Sequence, residues 1–251
     1  MDPARAEALR QTLGLRGIIA SGDPLPPFFH QAYFWDPHPA HALGEDGHPR
    51  VGGLIPDMGL PRRMWAGGRL DFHAPLRCGL PAEKRSECVS SKRKDGRSGP
   101  LALVTLRHEI WQEGALCVTD LQDLVYREAH DPNQPARVAP TTQDPSEGTR
   151  LRFSPTLLFR YSALTFNGHR IHYDRDYAIE REGYAGLVVH GPLLAQHLML
   201  AAQKALPEMR WFSFRATAPL MDFEEAALIW NDQAGFIRGP DDRLCMVAEA
   251  G

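Results

Sequence analysis

The polar residues best suited to catalysis lie within residues 161–173, where Asn167, His169 and His172 are close together. An imidazole exchanges protons near neutral pH, so a histidine here can act as a general acid or base. An amide such as that of Asn167 can orient a water molecule. Gly191 follows 19 residues after His172 at the start of an apolar, helix-like segment, and a helix N-terminus offers free N–H groups to an oxyanion. This spacing favours proton transfer beside a stabilised oxyanion.

Two apolar segments must position these residues. Residues 151–166 form an apolar run, which we interpret as a strand that ends just before Asn167. The segment that opens at Gly191 and Pro192, PLLAQHLMLAAQKAL, is apolar nearly all round. A helix with this pattern is expected to be buried.

The rest of the chain predicts one short helix and many strands. Residues 2–13 predict an amphipathic helix, with Asp2 as its cap and Pro3 in its first turn. Apolar and polar residues alternate over residues 70–76, as in a half-buried strand, and strands are also expected on both sides of Glu113 and Gly114. Later strands are expected near residues 210–218, 226–231 and 243–248.

Residues 129–150 carry four prolines and almost no large apolar side chain, which is typical of a linker. The chain of 251 residues then divides into strand-rich halves at 1–128 and 151–251. The halves show no residue-level repeat. We therefore predict two similar units joined by a Pro-rich linker.

Composition excludes several classes of function. A formal net charge of −3 gives no general attraction to nucleic acid or to an anionic membrane. No segment has the 18 or more apolar residues of a membrane span, and the N-terminus lacks the pattern of a signal peptide. The four cysteines are scattered singly, which argues against a zinc ribbon or a disulfide framework. We expect a cytoplasmic protein.

The segments TFNGHRIHYDRDYA and GYAGLVVHGPLLA resemble the hydratase motif of the MaoC-like hot-dog family, and most closely its double hot-dog hydratases and dehydratases. The family pattern S-G-D-x-N-P-x-H falls on Thr165, Phe166, Asn167, His169, Arg170 and His172, and its A-H-G-x-L stretch falls on residues 189–193. The segment GLPRRMWAGGRLDFHAPLRCG resembles the non-catalytic repeat of the same group. The resemblance thus touches both halves.

The resemblance implies an α+β double hot-dog fold, with two antiparallel sheets each wrapped around a central helix. It implies reversible hydration of a short 2-enoyl-CoA to a 3-hydroxyacyl-CoA, with mesaconyl-C4-CoA or itaconyl-CoA as example substrates. His172 would move the proton and the Gly191 N–H would stabilise the thioester oxyanion. Asn167 stands where the family has a carboxylate, and an amide cannot accept a proton, so Asn167 would hold and polarise the water.

The resemblance also implies the residues that bind substrate. Trp65 and Arg69 would reach the acyl end, where Arg69 could meet a distal carboxylate. Arg170 could meet a phosphate or carboxylate, or it could form a salt bridge with Asp174 or Asp176. His190 would lie beside the substrate or position the loop before the helix. The residues around Gly67 and Gly68 match neither the Walker spacing nor the G-x-G-x-x-G spacing of phosphate-binding loops. A tight turn before the strand is therefore expected there.

Other interpretations remain open at this point. A non-catalytic subunit that binds acyl thioesters would explain Asn167, and a hot-dog thioesterase is another alternative, although it would normally need a carboxylate. His169 and His172 could bind a metal, but no acidic or third histidine partner lies at recognisable spacing, so no metal and no cofactor are expected. His197 is expected to be a core residue. The double fold leaves room for a homodimer.

Overall fold

The computed structural model describes residues 1–96, 99–128 and 148–251. Most of the predicted linker, residues 129–147, lies outside the described residues, so the division into units stays a prediction. The helices are α1 (Pro3–Thr12), α2 (Pro155–Thr165), α3 (Arg175–Glu180) and α4 (Gly191–Ala205). The strands are β1 (Arg62–Phe72), β2 (Glu83–Gly96), β3 (Gly99–Gln112), β4 (Ala115–Arg127), β5 (Thr149–Arg152), β6 (Trp211–Ala216), β7 (Glu225–Asn231), β8 (Ala234–Arg238) and β9 (Leu244–Ala250).

The nine strands form one antiparallel sheet in the order β2-β3-β4-β1-β6-β9-β8-β7-β5. The two expected sheets are therefore joined edge to edge, because β1 pairs with β6. Gly67 and Gly68 lie inside β1 next to a bulge and do not form the expected turn. A Cβ at Gly67 would lie 2.6 Å from the Phe214 carbonyl oxygen, and one at Gly68 would lie 2.5 Å from that of Leu121. The glycine pair lets three strands approach closely where the halves meet.

Helix α4 forms the core of the C-terminal half, as predicted from its all-round apolar pattern. It packs against β7, β8 and β9. Leu193, Leu198 and Met199 are fully buried on it. No helix in the part of the chain that the structure describes is both long and apolar enough to cross a membrane.

The N-terminal half fills the corresponding space differently. The helical elements among its described residues are α1 and short 3₁₀ turns, so the expected second central helix is not among them. Phe28 and Phe29 are buried instead, and the Phe28 ring meets the rings of Trp65 and Phe214 edge-on. Aromatic side chains of this region thus pack against residues of the sheet.

The strand expected over residues 151–166 is wrong for most of its length, because only β5 is extended and α2 follows it. Ser154 caps α2 by accepting a hydrogen bond from the Leu157 N–H at 3.2 Å, and Pro155 fits the first turn. Phe166 ends the helix in the left-handed conformation. Residues 167–173, the candidate catalytic segment, therefore follow a helix C-terminus and not a strand.

Candidate active site

A cavity of about 1440 Å³ is lined by residues of both halves. The N-terminal half contributes His48 and residues 62–66 of β1. The C-terminal half contributes residues 167–169, His172 and the start of α4. The residues predicted to do chemistry therefore meet residues that are far away in the sequence.

His172 lies in a 3₁₀ turn (Arg170–His172) and is 6% exposed. Its Nδ1–H donates to the Val188 carbonyl oxygen at 2.7 Å. That bond fixes the tautomer, so Nε2 carries the lone pair and can accept a proton from a molecule in the cavity. Burial lowers the pKa of His172 to about 4, although the bond to Val188 opposes this. The imidazole is therefore neutral at pH 7 and suited to act as a base.

His190 supports His172 and does not line the cavity. The two rings are stacked with centroids 3.7 Å apart. His190 is fully buried, and its Nε2 lies 2.8 Å from the Ser162 hydroxyl. Burial lowers the pKa of His190 well below its usual range, so it stays neutral beside His172. His190 thus packs against the His172 ring, and both a positioning role and contact with substrate stay predictions.

Asn167 lines the cavity just after α2. Its Oδ1 accepts a hydrogen bond from the His169 backbone N–H at 3.0 Å, which closes a local turn. Its Nδ2 has no hydrogen-bond partner among the described residues. Asn167 can therefore donate a hydrogen bond to a water or substrate oxygen, but it cannot replace a catalytic carboxylate.

Gly191 lines the cavity at the first position of α4. No backbone hydrogen bond among the described residues uses its N–H. Pro192 has no N–H, and the Leu193 N–H is bonded to the His190 carbonyl oxygen at 3.0 Å. The Gly191 N–H is thus the donor that this helix end leaves for an oxyanion.

The other predicted binding residues differ in position. Trp65 lines the cavity, with its Nε1–H bonded to the Gly67 carbonyl oxygen at 2.9 Å. Arg69 does not line it, because its guanidinium pairs with Asp71 at 2.8 Å and stacks on Trp211. The structure therefore does not bring Arg69 to the acyl group.

Arg170 does not line the cavity either. It forms one of the two salt bridges left open by the sequence, with Asp174 at 2.7 Å. Its Nη1 also donates to the Glu45 carbonyl oxygen at 3.1 Å. Arg170 thus connects the candidate catalytic segment to a loop of the N-terminal half.

Sequence reasoning missed three residues beside this site, namely Asp46, His48 and Arg63. Asp46 Oδ2 lies 2.9 Å from His48 Nδ1, and the His48 ring centroid lies 4.4 Å from that of His169. Arg63 is half-buried and lines the cavity beside them. No spacing rule connects these residues to the C-terminal motif, and only their place in a Gly-rich loop and in the segment PRRMWAGG marked them.

Asp46, His48 and His169 are the described residues that could approach a single cation, since one ligand atom from each lies within 4.8 Å of the others. However, His48 Nδ1 is already bonded to Asp46. Burial is the main cause that lowers the pKa of both histidines, and the positive charge of Arg63 lowers it further and opposes the binding of a cation to them. We assign no metal to this group.

Comparison with known proteins places the chain in a family. Residues 28–222 match the family described as hydroxyacyl-thioester dehydratase type 2. The chain is 46% identical over 239 residues to mesaconyl-C(4)-CoA hydratase of Chloroflexus aurantiacus. The alignment covers 92% of this chain and 85% of the relative. This agreement extends over both halves.

Solved structures agree on the fold. HtdX of Mycobacterium tuberculosis superposes with a TM-score of 0.69 at 16% identity, over 100% of this chain and 96% of that one. A second protein of M. tuberculosis is described as having a double hotdog fold. It superposes with a TM-score of 0.55 at 15% identity, over 100% of this chain and 91% of that one. The predicted α+β double hot-dog fold and the predicted enzyme class, an acyl-thioester hydratase or dehydratase, are confirmed. The chain belongs to the hydroxyacyl-thioester dehydratase type 2 family.

Proposed function

We propose that the protein adds water reversibly to a short 2-enoyl-CoA that carries a second, free carboxylate, with mesaconyl-C4-CoA as the first substrate to test. The observation that supports this proposal most directly is His172, a neutral imidazole whose Nδ1 is fixed by Val188 and whose Nε2 is free for proton transfer in the cavity. The relationship to a mesaconyl-C(4)-CoA hydratase supports the choice of substrate.

In the proposed reaction the thioester oxygen lies against the Gly191 N–H. Negative charge collects on that oxygen as water attacks the β-carbon, and a donor of this kind typically lowers the barrier by about 3 kcal/mol. His172 Nε2 accepts the proton of the attacking water. The Asn167 Nδ2 group donates a hydrogen bond to the water oxygen and orients it, without taking a proton itself.

Arg63 is the residue that we propose for the free carboxylate. The neighbouring Arg62 lines the same cavity but is already paired with Glu182 at 2.7 Å. No ion pair within 4.0 Å involves Arg63 among the described residues. The field of Arg63 reaches His48 and His169, so its charge lies near the reacting end of the cavity. An arginine there offers a planar pair of donors that matches a carboxylate.

The test incubates purified protein with mesaconyl-C4-CoA and follows the enoyl absorbance together with free thiol. We expect the absorbance to fall without thiol release. Release of thiol would indicate a thioesterase, and no change in either signal would indicate a binding subunit. His172→Gln should reduce turnover by at least about 100-fold, the usual contribution of a general base. The matched control is His73→Gln, an exposed histidine bonded to Thr119, which should retain wild-type turnover.

A further inference from the structure

A tight loop of the N-terminal half, residues 44–48, lies directly against the catalytic segment. The Gly44 N–H donates to the His48 carbonyl oxygen at 2.7 Å, which closes the loop. The Arg170 N–H donates to the Asp46 carbonyl oxygen at 2.9 Å. A Cβ at Gly47 would lie 2.0 Å from the Gly168 carbonyl oxygen, so this contact requires a glycine. The loop therefore has a fixed position relative to the catalytic segment.

This loop carries a carboxylate–imidazole pair into the site. Asp46 Oδ1 accepts a hydrogen bond from the His48 backbone N–H at 3.0 Å, and Oδ2 accepts one from Nδ1 at 2.9 Å. The second bond leaves the lone pair of His48 on Nε2. The side chains of His48 and Asp46 are 16% and 23% exposed, and His48 lines the cavity.

The histidine rings form a continuous series across the site. The His48 centroid is 4.4 Å from that of His169, and the His169 centroid is 5.4 Å from that of His172. Within this series Asp46 is the carboxylate hydrogen-bonded to a ring. The N-terminal half thus supplies an acidic group close to the motif in which Asn167 has replaced one.

We propose that His48 is a second proton-transfer residue of this active site and that Asp46 is its positioning residue. The proposal rests on the proposed hydratase function. Hydration needs one proton removed from water and one delivered to the α-carbon. With an amide at Asn167, the catalytic segment has no carboxylate beside His172 to share the two tasks. His48 takes the second task.

The proton transfers balance. An O–H bond of water breaks, its proton goes to His172 Nε2, and the oxygen bonds to the β-carbon. The π electrons of the double bond move to the thioester as an enolate. The α-carbon then takes a proton from Nε2 of the His48 imidazolium, which Asp46 stabilises. Return of the proton from His172 to His48 through cavity water resets the site, and dehydration runs through the same steps in reverse.

Charged groups around His48 make the proposal testable. Burial is the main cause that lowers the His48 pKa, and the positive charge of Arg63 lowers it further. The hydrogen bond and charge of Asp46 raise it. His169 faces the same ring, but burial lowers the pKa of His169 far below its usual range, so it stays uncharged. Asp46→Asn should therefore lower the His48 pKa, whereas Arg63→Gln should raise it.

The experiment measures kcat and KM on crotonyl-CoA, which has no free carboxylate, from about pH 5 to pH 9. His48→Gln should lower kcat by about 100-fold with little change in KM. Activity should fall as the pH rises past the His48 pKa, which burial holds below its usual range, and this fall forms the descending limb of the pH profile. That limb should move to lower pH in Asp46→Asn and to higher pH in Arg63→Gln. The control is Asp57→Asn, an exposed carboxylate of the same half, which should leave the profile unchanged.

Thermal unfolding of each variant separates this role from a structural one, because a purely structural role would lower the midpoint without moving the limb. Limbs that do not move, or that move in the same direction in both variants, would overturn the assignment of His48, as would wild-type kcat in His48→Gln. If the wild-type protein hydrates neither crotonyl-CoA nor mesaconyl-C4-CoA, the proposed function itself fails, and this inference fails with it.

Discussion

Under the proposed function, replacement of Arg63 by glutamine should remove the preference for an enoyl-CoA that carries a free carboxylate. Arg63 is half-buried in the cavity wall, and no carboxylate lies within ion-pair distance of it among the described residues. Its charge is therefore available to a bound anion. Glutamine keeps a polar side chain of similar reach but removes the charge and the forked donors.

The magnitude follows from the position of Arg63. Two unit charges 4 Å apart attract by about 4 kcal/mol at an effective dielectric constant near 20, and removal of both groups from water offsets part of this. A hydrogen bond to a charged group typically contributes about 1.5–3 kcal/mol. Since about 1.4 kcal/mol is a factor of ten, kcat/KM for mesaconyl-C4-CoA should fall by about 10- to 150-fold.

The assay compares kcat/KM for mesaconyl-C4-CoA and crotonyl-CoA at the pH optimum of each variant. Crotonyl-CoA has no free carboxylate, so its kcat/KM should change by less than about threefold in Arg63→Gln. Arg63→Lys should recover part of the selectivity, because lysine keeps the charge but not the planar pair of donors. Arg127→Gln is the matched control, since Arg127 is an exposed arginine of the same cavity wall.

Two results would refute this reasoning. One is an equal loss for both substrates in Arg63→Gln, which would make Arg63 a general support of the site. The other is an equal loss of selectivity in Arg127→Gln, which would mean that the net charge of the cavity, and not a specific contact, selects the substrate.

The remaining predictions concern stability and the support of His172. Leu198→Ala removes a fully buried side chain of α4 and should lower the free energy of unfolding by about 2–5 kcal/mol in urea denaturation. Gly67→Ala places a Cβ against a backbone carbonyl of β6 and should cost about 1–3 kcal/mol. Ser162→Ala removes the partner of His190 Nε2 and should lower both the unfolding midpoint and kcat, measured on the same preparation. Burial lowers the pKa of His172 to about 4 and that of His190 well below its usual value, so the unfolded chain binds more protons in acid. The free energy of unfolding should therefore hold above about pH 6.5 and decrease towards pH 4, as measured by urea titrations across this range.

For each of these four predictions, a specific result would contradict the physical reason behind it. Phe159, 62% exposed on α2, is the control for truncation, and a Phe159→Ala loss as large as that of Leu198→Ala would contradict the packing argument. Wild-type stability in Gly67→Ala would mean that the sheet junction tolerates a side chain. Unchanged kcat in Ser162→Ala would remove His190 from the support of His172. Stability that rises as the pH falls from about 6.5 would contradict the buried neutral histidines.

Local patterns predicted those elements whose signals are complete within a few residues. Helix α4 is apolar nearly all round, and α1 has Asp2 and Pro3 at its start. Residues 151–166 failed because a short apolar run does not distinguish a strand from a buried helix. Ser154 followed by Pro155 is a helix-start signal, and giving it more weight would have corrected the interpretation.

The candidate site likewise contains some residues that the sequence could identify and others that it could not. His172, Asn167 and Gly191 could be named because they belong to one contiguous motif, and the structure brings them to one cavity. The roles proposed for Asp46 and His48 could not be predicted, because they depend on how a loop of one half packs on the other. The sequence does not show which arginine of residues 62–69 is neutralised, and in the structure Asp71 neutralises Arg69.

The position of β2 at one end of the nine-stranded sheet limits how copies of the protein can associate. An unpaired edge strand exposes N–H and C=O groups that can recruit another strand and so promote aggregation. More than half of the 14 residues of β2 are charged, and most of the strand is exposed. So many charged side chains, and the lysines in particular, oppose the addition of another strand. Sheet growth through β2 is therefore disfavoured, and a homodimer, which stays a prediction, would have to use another surface.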